Sequence, residues 1–172
     1  SVTVIIATSG IINLQLAALQ ALGEYFQPVK IALENYAELS NAFIASGNIW
    51  LIILSTCVLV PIAEELIFRG IIQGELRRVM PGVWDVIIQA IIFSVIHINP
   101  IQISYVIIPA LVLGAVYEWT KSIYVPIILH MIFNFTGAAL PVILAENEKA
   151  YTFSVLAIFA FIPAGIFGML YV

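Results

Sequence analysis

The stretch LVPIAEELIFRGII, residues 59–72, sets two adjacent carboxylates, Glu64 and Glu65, and a guanidinium, Arg69, in a run that is otherwise apolar or small. A charge placed there is solvated by another side chain or not at all. The rest of the chain says what kind of setting this is. Hydrophobic residues make up 63% of the 172 and charged residues only 9%, whereas about a quarter of an average soluble domain is charged. Mean hydropathy is +1.12. This is the composition of a polytopic membrane protein, whose length is counted in spans of about 20 apolar residues.

Outward from that stretch, apolar runs cover approximately 1–22, 43–78, 84–98, 101–119, 122–140 and 151–172, the second interrupted by Pro61 and the charged motif. The expectation is all-α: a bundle of about six transmembrane helices with a buried polar site, forming a single integral-membrane domain over 1–172. The chain starts Ser-Val-Thr with no basic segment ahead of its first apolar run, so we read no signal peptide and expect further sequence upstream. A net charge of -4 with six Lys and Arg leaves no basic patch for nucleic acid. Cys57 is the single cysteine and has no partner for an intrachain disulfide. Oligomeric state is not legible.

Charge in the connections alternates. Glu24, Lys30, Glu34 and Glu38 lie in one, and Glu146, Glu148 and Lys149 in another; Arg77 and Arg78 precede Pro81-Gly82, and Lys121 precedes Tyr124-Val125-Pro126. The positive-inside rule puts Arg77, Arg78 and Lys121 in the cytoplasm. The expected location is a prokaryotic plasma membrane, with the site reached from the cytoplasmic side. Residues 24–42, acidic with interspersed apolar residues, are expected to lie on the opposite surface as an amphipathic segment.

On that topology the polar residues of the core share a depth. Glu64 lies 13 residues before Arg77 and His97 lies 12 after Asp85, about 18–20 Å along a helix. His130 and Asn134 follow Lys121 by 9 and 13 residues, spanning about 14–20 Å on the same scale. Spacing then sorts the faces. Glu65 and Arg69 are i and i+4 and can pair, while Glu64 is rotated about 100° away and stays free. His130 with Asn134, and Phe93 with His97, also stand at i and i+4. An acid and a histidine in one dry cavity can hold and deprotonate a water, and a second histidine with an asparagine can donate to a developing oxyanion.

Bland readings compete residue by residue. Glu65 with Arg69 reads chiefly as a buried ion pair fixing helix packing, and Phe93 as packing. His97 or His130 alone would be a hydrogen-bonded interior histidine; with Glu64 and Asn134 they read as functional, because ionisable groups inside a bilayer are costly. Asn99-Pro100 reads as the end of a short third segment. Gly114, Gly137, Gly165 and Gly168 read as close-packing positions between helices, and Glu118 with Trp119 as an inner boundary. Glu64, His97 and His130 could instead supply three zinc ligands, although no His-Glu-x-x-His pair is present. The metal question stays open at this level. The same residue types also build proton relays and ion sites in transporters, but no second half of the chain repeats the broken charged segment. An immunity or scaffold protein without catalysis is a further alternative.

Glu64-Glu65-x-x-x-Arg69, Phe93-x-x-x-His97 and His130-x-x-x-Asn134, in that order on successive segments, resemble the three motifs of the CAAX protease and bacteriocin-processing family of abortive-infection proteins. The resemblance covers residues 61–134. It implies an intramembrane glutamate-type endopeptidase in which Glu64 and His97 activate water, His130 and Asn134 form the oxyanion site, and Glu65 and Arg69 hold the first motif in shape. It also implies no metal cofactor, with zinc the alternative. The implied partners are the lipid bilayer and a peptide or lipid-modified protein substrate, with bacteriocin or pheromone precursors favoured over prenylated proteins.

Overall fold

The computed structural model describes residues 2–45, 48–80 and 82–170, with side chains throughout except at 43, 44 and 166–170. Pro81 and the environment of Gly168 therefore lie outside the described residues. Among these the chain is helical, with seven helices: α1 (Val2–Gly23), α2 (Gln27–Ala45), α3 (Ile49–Val79), α4 (Val83–Val95), α5 (Pro100–Thr120), α6 (Tyr124–Ile143) and α7 (Glu148–Leu170). The all-α membrane bundle expected from composition is what the chain forms. Of the six expected crossings, α1, α3, α5 and α6 are long and apolar enough to span. Helix α4 has 13 residues, a rise of about 20 Å, and falls short of the roughly 30 Å hydrocarbon core. The segment 24–42 became α2, which packs across α1 and the first turns of α5, where Tyr36 Oη lies 3.0 Å from Tyr105 Oη.

Pro61 does not break α3. A proline lacks the N–H for the helical ladder and its ring crowds the carbonyl four residues back. The helix absorbs this by widening into a π-turn over Ser55–Leu59, immediately before Pro61. The same device recurs in α6, where a π-turn over Phe135–Ala139 precedes Pro141. A third π stretch, Leu66–Gln73, carries Arg69. All three flank residues of the quoted motifs.

Helices α3 and α5 run parallel and are tied in register along the chain. Arg69 Nη2 donates to the Ala110 carbonyl at 3.1 Å, Gln73 Nε2 donates to the Gly114 carbonyl at 3.1 Å, and Arg77 pairs with Glu118. These steps of four on both helices place three polar rungs on one seam. Arg77 also approaches the buried Asp85 of α4 at 3.4 Å, and Lys121 pairs with Glu118, so the cationic end of the bundle is a charge cluster rather than a row of free cations.

Apolar packing completes the frame. Phe68, Ala90, Phe93, Val106 and Ala110 form one cluster between α3, α4 and α5; Ile5, Leu113, Val116 and Leu129 form another between α1, α5 and α6. Gly114 and Gly165 are close-packing positions as expected: a Cβ at Gly114 would stand 3.0 Å from Gln89 Oε1, and one at Gly165 would overlap the Ala7 methyl. Gly137 is not. A Cβ there meets nothing within 4 Å.

Candidate active site

The first motif divides its charges as the spacing requires. Glu65 and Arg69 are fully buried, with Arg69 Nη1 2.9 Å from Glu65 Oε1, while the Glu64 side chain keeps 26% exposure. Removing two charges from solvent is tolerable only where each is matched, and Arg69 is matched three ways: by Glu65, by the Ala110 carbonyl and by the face of Phe93, 4.8 Å from its guanidinium carbon. Glu65 does more than the sequence assigned it. Its Oε1 also lies 2.7 Å from His130 Nδ1.

The second motif ends α4. The helix stops at Val95, and the chain reverses through His97 and Ile98, the latter held at φ 63. A β-branched residue in the left-handed region is strained. The reversal is closed by Asn99, whose side chain accepts from the backbone N–H groups of Ile101 and Gln102 to cap α5, with Pro100 in its first turn. This turn presents the imidazole of His97. Its Nδ1 lies 2.9 Å from the Phe93 carbonyl; a carbonyl only accepts, so Nδ1 donates there and Nε2 is left for another partner. Phe93 is packing, as expected, but packing at the centre of the site: its ring lies 5.1 Å from that of His97 and 6.1 Å from that of His130.

The third motif brings α6 to α3. His130 stands between the two glutamates, Nδ1 toward Glu65 and Nε2 3.6 Å from Glu64 Oε2. Asn134, one turn on, donates through Nδ2 to the Thr56 carbonyl at 2.8 Å, inside the π-turn of α3. A primary amide has two N–H groups, so one remains for a ligand. Thr56 was not singled out from sequence, because a backbone acceptor leaves no compositional mark.

Glu64, His97, His130 and Asn134, from three separate segments, line one cavity of about 520 Å³. Its remaining wall is largely apolar and includes Ile52, Val106, Pro109 and Leu113. Beyond the site it is bounded by the first turns of α3 and α5, the last turns of α6, and Tyr36 and Ser40 of α2. It therefore runs toward the α2 end of the bundle, away from Arg77, Arg78 and Lys121. A short α4 and an α2 that packs across α1 and α5 frame the cavity at that end. Among the described residues no group of three His, Cys, Asp or Glu side chains is arranged to hold a metal ion. Nδ1 of each histidine is engaged by a neighbour, which leaves Nε2 of each as the ring nitrogen open to a further partner.

Comparison with known proteins gives partial relatives. The chain is 29% identical over 86 residues to the uncharacterized protein YpbD of Bacillus subtilis, covering 48% of this chain and 41% of that one. It is 29% identical over 97 residues to the membrane-embedded CAAX protease MroQ of Staphylococcus aureus, covering 53% of this chain and 39% of that protein. The match thus spans about two-fifths of the length of these relatives. No solved structure matches. The model of one family, the type II CAAX prenyl endopeptidase Rce1-like family, matches residues 46–136, which contain all three motifs and the helices that join them, and the chain belongs to that family.

Proposed function

We propose that the chain is an intramembrane endopeptidase that hydrolyses peptide bonds of a small or lipid-modified peptide by a glutamate-based mechanism without metal. The observation that carries this reading is the convergence of Glu64, His97, His130 and Asn134 on one cavity, while Glu65 and Arg69 stay buried behind it. Glu64 and His97 Nε2 hold a water, whose oxygen attacks the scissile carbonyl. Its proton passes through Glu64 to the leaving amine as the C–N bond breaks. The free N–H of Asn134 stabilises the oxyanion, and His130, held between Glu64 and Glu65, stands beside it as a second donor. Family membership and the relative named a CAAX protease support the reaction class.

The protein sits in a prokaryotic plasma membrane. The sequence expects both the cations and the opening on the cytoplasmic side. Cysteines placed at Tyr124 and Glu146, at opposite ends, would settle the sidedness by impermeant labelling of intact cells.

The test of the reaction compares new peptide termini in membranes of cells expressing the wild type and Glu64→Gln at matched levels, with and without chelator. Termini lost in Glu64→Gln and retained under chelation are expected. Loss under chelation points to a metal; no difference between folded proteins defeats the reading.

A further inference from the structure

A second cavity, of about 190 Å³, lies against the first between α1, α6 and α7. The two share Tyr36, Tyr105, Phe133, Asn134, Gly137 and Ala138 as a common wall. At about 30 Å³ per water it has room for roughly six, the space of a short length of peptide. Its described lining includes Ser9, Asn13, Thr136, Tyr151 and Ser154 and contains no Asp, Glu, Lys, Arg or His. An extended backbone entering it finds acceptors for its N–H groups in the hydroxyls of Ser9, Thr136 and Ser154, whose own protons are held by carbonyls of their helices. A charged side chain entering it is desolvated with no counter-charge.

Gly137 stands where the cavities meet, on the π-turn of α6 and three residues past Asn134. Glycine inside a helix costs stability relative to alanine; the Gly137 carbonyl is the one four residues before the Pro141 ring, but no close approach of another helix accounts for the missing side chain. Its φ is not positive, and no neighbour lies within 4 Å of where a Cβ would stand. The bare backbone faces empty space beside the site.

We propose that the two cavities form one bent substrate channel and that Gly137 is its specificity-determining position, passing a neutral segment whose side chain opposite it occupies the open space beside the bare backbone. This rests on the reading of the site as an endopeptidase. It adds a rule that the catalytic residues do not contain: the side chain at one fixed position near the scissile bond is uncharged and is accommodated by the absence of a side chain at Gly137.

The experiment uses the Glu64-dependent termini of wild-type membranes as the probe and compares them in Gly137→Ala, Gly137→Val and Gly137→Leu, each checked for a thermal midpoint in detergent no lower than that of the wild type. Gly137→Ala narrows the passage least and shows the smallest loss. Gly137→Val and Gly137→Leu lose, in order of size and by about tenfold or more, the cleavages whose residue at one fixed position is largest, and retain those with Gly, Ala or Ser there. An unchanged set at unchanged rates overturns the proposal while leaving the protease reading intact. An even loss across all termini also overturns it, because a channel constriction discriminates by size. If the wild type yields no Glu64-dependent termini, the protease reading falls first and the channel with it.

Discussion

The Nδ1 atom of His130 lies 2.7 Å from Oε1 of Glu65, the same oxygen that Arg69 approaches at 2.9 Å. A guanidinium, a carboxylate and an imidazole thus form one chain of contacts leading from the interior of α3 to the cavity wall on α6. The adjacent Glu64 stands outside this chain, at 3.6 Å from the other imidazole nitrogen.

The two neighbouring glutamates should therefore fail in different ways. Glu64→Gln is expected to lose cleavage by about a hundredfold or more while shifting unfolding by less than about 1 kcal/mol. Glu65→Gln strands Arg69 as an uncompensated buried charge and should cost about 3–5 kcal/mol. Thermal unfolding in detergent, read beside activity, separates them; equal destabilisation would refute the assignment.

Neutralising both members of the buried pair should hurt less than the sum of its parts. Glu65→Gln combined with Arg69→Met is expected to be more stable than additivity allows by about 1–3 kcal/mol. Activity should not return, because His130 has lost its carboxylate. A double-mutant cycle on stability and a parallel cleavage assay check the two halves.

Asn134 donates to Thr56 and keeps one N–H toward the cavity. The nearly isosteric Asn134→Asp removes both donors. It should lower kcat by about 10²–10³ with little change in KM, the signature of a group acting in the transition state. A loss confined to KM would move Asn134 to substrate binding.

Alanine at two glycines should act with opposite sign. Gly114→Ala drives a methyl to 3.0 Å from Gln89 Oε1 and 3.1 Å from Val86 and should cost about 1–3 kcal/mol. Gly137→Ala meets nothing and should gain up to about 1 kcal/mol. Comparing their unfolding midpoints is sufficient.

The reversal after α4 carries its own strain. Ile98 is exposed at φ 63, a conformation costing a β-branched residue about 1–2 kcal/mol. Ile98→Asn should relieve part of it and raise the unfolding midpoint while His97 keeps its bond to the Phe93 carbonyl.

Much of this protein was written in one dimension. Composition made it a membrane bundle, because 63% apolar residues have no other place to be buried. Helical spacing paired Glu65 with Arg69 and left Glu64 free, because residues four apart share a face whatever surrounds them. Asn99 and Pro100 marked the boundary at which α5 begins. What the tertiary structure decided depends on neighbours distant in sequence. The bond from Glu65 to His130 spans 65 residues, and the hold of Thr56 on Asn134 spans 78. The direction of the cavity follows from how a short α4 and a covering α2, both marked as segments by the sequence, pack against the other helices. Gly137 read as packing because a glycine in an apolar run has one appearance in sequence, whether a neighbouring helix or empty space stands beside it. Local spacing fixes which residues share a helix face; only packing fixes what that face meets.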